Sequence, residues 1–275
     1  MKKNQHYVPK MILKRFEIPT QREKSWEYNL HTKKITVKCI DEVCSSKYFY
    51  EIRNEAGEYY YPDGKNKLED GFCKIETIYS PFWDELIARL DGCTDSIKLS
   101  MEEIESICLW VSILIMRNPV IKNVIPEVAK EFGETVQDKM SKSYLFVDLL
   151  PKGIEFMTRD LLKGHISFLR APKESGFVIA DIPVILGEPP VHEFSYTPIS
   201  KNYAIQITAP KSVAVDVRHC VIRDLSRVEM VDYNNKVYSA MLNAYDFGYL
   251  QGASILSHSR DLLESVVLPG FFNNI

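Results

Sequence analysis

The sequence has no CxxC pair and no long uninterrupted apolar segment. Its cysteines are scattered singly, as Cys39, Cys44, Cys73, Cys93, Cys108 and Cys220. Such spacing among apolar neighbours is typical of buried free thiols in a reducing compartment. The longest apolar run, ICLWVSILIM at 107–116, is about half the length that a membrane span requires. The start, MKKNQHYVPK, lacks the apolar segment of a secretory signal. We therefore expect a cytoplasmic protein without a membrane partner.

The common signatures of nucleotide-binding and hydrolytic enzymes are also missing. The chain contains no GxxxxGK[ST], GxGxxG or GxSxG motif, so P-loop, dinucleotide-fingerprint and serine-hydrolase functions have no support. Four histidines show no HxxxH or HExxH spacing and are interpreted as surface or capping residues: His165, His192, His219 and His258. None of these standard motifs therefore indicates a function, and candidate functional residues must come from other sequence patterns.

The charge balance is slightly acidic but uneven along the chain. Lys and Arg number 34 and Asp and Glu 37, which gives a net charge of −3. Residues 1–24 nevertheless carry seven basic side chains against Glu17 and Glu23. The net charge excludes a protein covered in positive potential. The basic excess in residues 1–24 is compatible with a local basic patch near the start.

The apolar periodicity predicts an α+β fold that is mainly helical, in a single domain over 1–275. We expect a small N-terminal β unit at 1–62, helices over 66–164, a second short β region at 175–217 and a helical C-terminal part at 230–267. Alternating SWEYNLHTKKITVKCI at 25–40 predicts two strands joined by a turn, and an aromatic strand is expected around KYFYEI. The absence of regular βα alternation favours α+β over α/β.

Capping signals place several helix boundaries. Asn66 with Glu69, and Ser100 with Glu103, have the spacing of capping boxes. Pro81 is expected to kink or restart the first of these helices. The second helix is apolar on most sides, which predicts that it is buried at the centre of the fold. The tyrosines at 59–61 could stack on bases or could form a partly buried hairpin tip.

The opening stretch NQHYVPKMILKRF predicts a short helical turn that anchors the N-terminus. Pro9 suits a helix start, and Ile12, Leu13 and Phe16 would share a buried face while Lys10 and Lys14 project to solvent. This explains the apolar residues but not Gln5-His6-Tyr7. His6 either bonds a neighbouring strand or acts as a general acid, a general base or a metal ligand.

Several short motifs resemble a bacterial family of unknown function, the domain-of-unknown-function family 4238. They are QHYVPKMILKRF, the helical KIETI at 74–78, RNP at 117–119, FVIADIPV at 177–184 and the following TPIS. Members of that family begin with a QHYVP-type motif and continue with a glutamate-bearing helix, a helix ending in Arg-x-Pro and a strand carrying Ser/Ala-Asp-x-Pro. The resemblance implies no established reaction, fold or catalytic residue. Ala180 stands where a small hydroxyl residue is expected, which puts any role of that hydroxyl in doubt.

Four polar residues in apolar surroundings form the candidate site. Glu76 lies beside the apolar face of its helix, where a carboxylate is costly unless paired. Arg117 ends the apolar helix and is available to a buried carboxylate. Asp181 follows a buried strand that Pro183 ends. With His6, these residues are the predicted catalytic set.

Two interpretations of this set remain open. In one, Arg117 is held by Glu76 or Asp181 in a buried network that docks the β and α parts. In the other, Glu76 and Asp181 hold Mg²⁺ or Mn²⁺, His6 moves a proton, and Arg117 with Lys10 or Lys14 holds a substrate phosphate.

The corresponding function hypotheses differ in class. The metal-site interpretation corresponds to a metal-dependent nuclease or phosphodiesterase whose partner is a nucleic acid or nucleotide. The buried-network interpretation corresponds to a non-catalytic binding or regulatory module of a defence or mobile-element system.

Overall fold

A computed structural model of the chain describes residues 4–53, 56–59, 66–131, 139–186, 194–208, 218–250 and 253–267. Its α-helices are α1 Lys10–Leu13, α2 Lys67–Gly92, α3 Met101–Met116, α4 Pro119–Glu131, α5 Lys139–Leu161, α6 Arg227–Asp246 and α7 Arg260–Val267. Short 3-10 turns occupy Lys14–Phe16 and Ile40–Glu42.

The strands are short and spread along the whole chain. They are β1 Asn4–His6, β2 Lys24–Asn29, β3 Lys34–Cys39, β4 Ser45–Lys47, β5 Ser96–Lys98, β6 His165–Arg170, β7 Ile179–Ala180, β8 Ile185–Leu186, β9 Phe194–Pro198, β10 Tyr203–Thr208, β11 His219–Asp224 and β12 Ser254–Ser257. Residues 187–193 and 209–217 of the β region expected at 175–217 lie outside the described residues.

The expectation of a mainly helical chain with a small β unit is wrong. Helices account for 49% and strands for 24% of the described residues, and the strands form three sheets. The fold is α+β with a substantial β component. Sequence periodicity underestimates this component because β5, β7, β8 and β12 have two to four residues each, too few to show a clear alternation.

The largest sheet has the strand order β5-β11-β6-β10-β9-β8. Its pairings are antiparallel except that β11 runs parallel to β6. A second sheet has the order β3-β2-β12-β7, and β1 pairs with β4 in a third. The hairpin of β2 and β3 confirms the prediction for 25–40. The four-stranded sheet brings together strands from both ends of the chain.

The capping predictions have different outcomes. Ser100 accepts a hydrogen bond from the Glu103 backbone N–H, and the Glu103 carboxylate accepts one from the Ser100 N–H, so this capping box is confirmed. Asn66 precedes α2 in a left-handed conformation with φ 57° and makes no side-chain cap bond. The capping box predicted at Asn66 and Glu69 is therefore wrong.

Three other element predictions also need correction. Helix α2 continues through Pro81 as one element, so it does not restart there, while the expected kink stays a prediction. The aromatic segment at 47–52 contributes only Lys47 to a strand, and residues 48–50 form turns. The helical C-terminal part expected at 230–267 is interrupted, because Ser254–Ser257 pairs with β2 and β7 and the last helix begins only at Arg260.

The buried apolar residues form one connected cluster that runs from Tyr7 to Val267 in sequence. Helix α3 lies within it, as Trp110, Val111 and Leu114 are fully inaccessible to solvent, which confirms its predicted central position. Within the described residues, no single helix is long and apolar enough to span a membrane, although the bent pair of α3 and α4 meets those criteria when taken together.

Candidate functional site

The opening motif is built into the protein by backbone pairing and by apolar anchors. Strand β1 pairs antiparallel with β4, and the Tyr7 N–H donates to the Cys44 carbonyl over 3.1 Å. Helix α1 follows Pro9, and Ile12, Leu13 and Phe16 are buried as expected. The segment is therefore an integral part of the core.

The contacts of Gln5 explain one of the three residues, Gln5-His6-Tyr7, for which the helical turn gives no reason. Its fully buried amide donates from Nε2 to Glu51 Oε1 over 2.9 Å and accepts at Oε1 from the Tyr50 N–H over 2.7 Å. The side chain thus bonds both a backbone donor and a carboxylate of the segment after β4. Its role is to hold that segment against β1.

His6 is a buried neutral donor. Its Nε2 lies 3.2 Å from the Ile40 carbonyl oxygen, a contact in which the ring N–H donates because a carbonyl only accepts. Burial lowers the pKa of His6 to about 4, and the positive charges of Lys10 and Arg117 act in the same direction. The imidazole is therefore uncharged at neutral pH and fixed to the 3-10 turn that follows β3.

Arg117 is the centre of the site. Only 1% of its side chain is exposed. Its Nε donates to the Tyr50 hydroxyl over 2.7 Å, one terminal nitrogen donates to Glu76 Oε1 over 3.0 Å, and the other donates to the His6 carbonyl. The Phe72 ring centroid lies 4.2 Å from the guanidinium carbon. Although burial opposes the charge, the interactions with Tyr50 and Glu76 raise the pKa of Arg117.

Asp181 follows β7, as predicted for a strand end. Its Oδ2 accepts from the Ser254 N–H over 2.9 Å, and its own N–H donates to the Ser254 carbonyl over 3.1 Å. Only 2% of the residue is exposed, and burial raises the pKa of the carboxyl to about 6. Tyr7 and Cys44 lie beside it, yet Oδ1 has no hydrogen-bond partner of normal geometry within the described residues.

The structure joins three of the four predicted residues directly. Arg117 contacts the Glu76 carboxylate and the His6 backbone. Asp181 is next to the motif through Tyr7, and its neighbours are Ser254, Cys44 and Glu27. Of the two acids expected to pair with Arg117, Glu76 is the one observed.

The predicted phosphate ligands are already paired with acids. Lys10 Nζ lies 2.5 Å from Asp41 Oδ1, and Lys14 Nζ lies 3.6 Å from Glu23 Oε1. Both lysines remain about half exposed, at 44% and 50%. The charges of these two lysines are therefore locally compensated.

The metal site stays a prediction. In the part of the chain that the structure describes, no group of three or more His, Cys, Asp or Glu side chains is placed to hold an ion. Glu76 bonds Arg117, and Asp181 bonds Ser254. One oxygen of each carboxylate is therefore engaged, and the two residues do not form a complete cation site within the described residues.

Sequence reasoning missed Tyr50 and Glu51. The Tyr50 hydroxyl accepts from Arg117 and donates to the His6 carbonyl over 3.2 Å, while Glu51 accepts from Gln5 and from the Asn66 N–H. A usable signal existed, because a buried tyrosine normally needs a partner for its hydroxyl. The prediction of a strand at 47–52 does not include this requirement of the Tyr50 hydroxyl.

A protein-family model described as "Protein of unknown function (DUF4238)" matches residues 4–216. This span contains His6, Glu76, Arg117 and Asp181. The chain belongs to the DUF4238 family. No curated protein and no solved structure gives a significant match. Since the family description states no activity, the function of this DUF4238 protein must be argued from its geometry.

Proposed function

We propose that this DUF4238 protein is a non-catalytic binding module in which the QHYVP motif and its partners act as scaffold. The observation that carries the proposal is the bonding of Arg117. Its donors bond Tyr50, Glu76 and the His6 backbone, and its side chain is 1% exposed. A guanidinium used in this way has little capacity left for a substrate.

The protonation state of His6 supports the same proposal. A general acid or base works best when its pKa lies near the operating pH. Burial lowers the pKa of His6 to about 4, and its Nε2 bonds a backbone carbonyl. The ring is therefore suited to holding β1 near Ile40 rather than to moving protons.

The proposed location is the bacterial cytoplasm. All six cysteines are free thiols, and Cys44, Cys108 and Cys220 are buried. Free thiols of this kind persist in reducing compartments. This supports the location that the scattered cysteine spacing predicts.

A cleavage assay with folding controls tests the proposal. Labelled DNA and RNA are incubated with the wild-type protein, His6→Ala and Asp181→Ala, each with and without Mg²⁺ or Mn²⁺. The expected result is no metal-dependent cleavage in any sample, together with lowered melting temperatures for both variants. Cleavage by the wild type that a folded His6→Ala variant loses would refute the proposal.

A metal-dependent nuclease or phosphodiesterase is the second candidate. The observation that favours it is that Asp181 Oδ1 has no hydrogen-bond partner of normal geometry within the described residues, while the Glu76 side chain is 17% exposed. Each carboxylate thus retains coordinating capacity. The same assay decides between the candidates, because only the nuclease requires cleavage that depends on added metal and on Asp181.

A further inference from the structure

Three partly exposed residues after β4 form a second polar feature, which we call the Arg53 sandwich: Tyr48, Arg53 and Tyr59. The guanidinium carbon of Arg53 lies 3.5 Å from the ring centroid of Tyr48 and 4.2 Å from that of Tyr59. Both distances are within the range of cation–π contact. The planar cation is therefore stacked between two aromatic rings.

The backbone fixes both rings. Tyr48 has φ 57°, a left-handed conformation that costs a tyrosine about 1 kcal/mol or more and persists only where the surroundings impose it. Its carbonyl accepts from the Glu51 N–H over 3.1 Å. Tyr59 is held opposite Arg53 by an antiparallel bridge between these two residues. The sandwich is therefore preorganised.

The hydrogen-bonding edge of Arg53 has no acceptor among the described residues. Within the described residues, the guanidinium makes no hydrogen bond or ion pair, and its Nε is buried without a partner. A buried donor left unpaired costs about 1–3 kcal/mol. Because the two rings cover the faces of the guanidinium, only its edge is left to bond an acceptor. A planar fork of this kind matches the oxygens of a phosphate.

We propose that the Arg53 sandwich binds the 5′-phosphate of a mononucleotide, an inference that rests on the proposed binding-module function and names its ligand class. The phosphate oxygens accept from the guanidinium edge. The base stacks on the face of Tyr48 that is turned away from Arg53, since aromatic rings accept any base.

The local charge favours a single nucleotide over a polymer. Two described acids lie near the sandwich in sequence, since Glu51 stands two residues before Arg53 and the exposed Glu58 directly precedes Tyr59. Acidic side chains repel a long polyanion more strongly than one phosphate group, because every additional phosphate adds a like charge. A mononucleotide brings a single phosphate group to the cation and no chain of phosphates past these carboxylates.

Calorimetric titration of the full chain tests the site. The probes are AMP, GMP, CMP and UMP, with inorganic phosphate and a short single-stranded deoxyoligonucleotide as the comparison arms. At least one mononucleotide should bind saturably and more tightly than phosphate or the oligonucleotide. Arg53→Gln removes the charge and Arg53→Lys removes the fork, so each should weaken that binding about tenfold or more.

Arg159→Gln is the matched control, because Arg159 lies on α5 with a 75% exposed side chain paired to Glu155. It should leave nucleotide binding unchanged, and thermal melts should show that all variants are folded. The site is refuted if no mononucleotide binds, if Arg53 variants bind as tightly as the wild type, or if phosphate or the oligonucleotide binds as tightly as the best mononucleotide.

Failure of this inference can be told apart from failure of the proposed function. Absence of binding overturns the Arg53 site and leaves the binding-module proposal standing. Chromatography of the titrated sample shows whether the nucleotide is turned over. Binding with turnover supports the site and overturns the non-catalytic proposal.

Discussion

Replacing Asp181 by Asn should change the pH dependence of stability in a defined direction. Burial raises the pKa of Asp181 from 3.8 to about 6 in the folded protein. A carboxyl group with a raised folded-state pKa contributes stability below its unfolded pKa, and this contribution is lost as the pH rises through the folded pKa. The wild-type protein should therefore lose this stability between about pH 4 and pH 6.

The magnitude follows from the size of the shift. A rise of about two pKa units corresponds to about 3 kcal/mol, at about 1.4 kcal/mol per unit. A carboxamide cannot ionise, so the Asp181→Asn variant does not lose this amount. The introduced carboxamide oxygen can still accept from the Ser254 N–H, as Oδ2 does in the wild type. The stability difference between variant and wild type should shift by about 3 kcal/mol in favour of the variant from pH 4 to pH 8.

Urea denaturation of both proteins across this pH range measures the effect. Comparing the two proteins at each pH cancels the titration of all other groups and any constant packing effect of the amide. Asp246→Asn is the matched control, because Asp246 is exposed at the end of α6. A difference between Asp181→Asn and wild type that stays constant from pH 4 to pH 8 would show that burial does not shift this carboxyl.

Two further perturbations follow from the same site. Arg117→Met should destabilise the protein by about 3–5 kcal/mol in urea denaturation, because it leaves the half-buried Glu76, the Tyr50 hydroxyl and the His6 carbonyl unpaired; a loss below about 1 kcal/mol would contradict the network's role. His6→Gln should abolish a loss of about 3 kcal/mol that the wild type suffers as the pH falls from 6.5 toward 4, since the lowered pKa of about 4 keeps the folded imidazole neutral while the unfolded one becomes charged. Equal pH profiles for His6→Gln and wild type, measured by denaturation, would refute that assignment.

Local signals in the sequence predict those parts of the fold that depend on near neighbours. The β2–β3 hairpin follows from alternation on both sides of a polar turn, and α3 follows from the Ser100 capping box and a continuous apolar segment. Asp181 lies directly after its strand, as the apolar run before it indicates. The order of several short motifs is sufficient to identify the family.

The remaining features depend on partners that are distant in sequence. Ser254–Ser257 becomes a strand because β2 and β7 provide its hydrogen-bond partners, and no local pattern reveals them. Tyr50 is a hub because Arg117 and His6 meet at its hydroxyl. A sequence can indicate that a buried carboxylate or guanidinium needs a partner, but only the tertiary structure decides which partner it has.

The pairing of β2 with β12 also has a consequence during synthesis of the chain. The Ser25 hydroxyl donates to the Ser257 carbonyl, across a separation of 232 residues. At about 5–20 residues per second, a ribosome needs about ten to fifty seconds to cover that distance. Throughout this interval one side of the first hairpin lacks its neighbouring strand, so its exposed edge is open to chaperones and to unwanted pairing with other nascent chains.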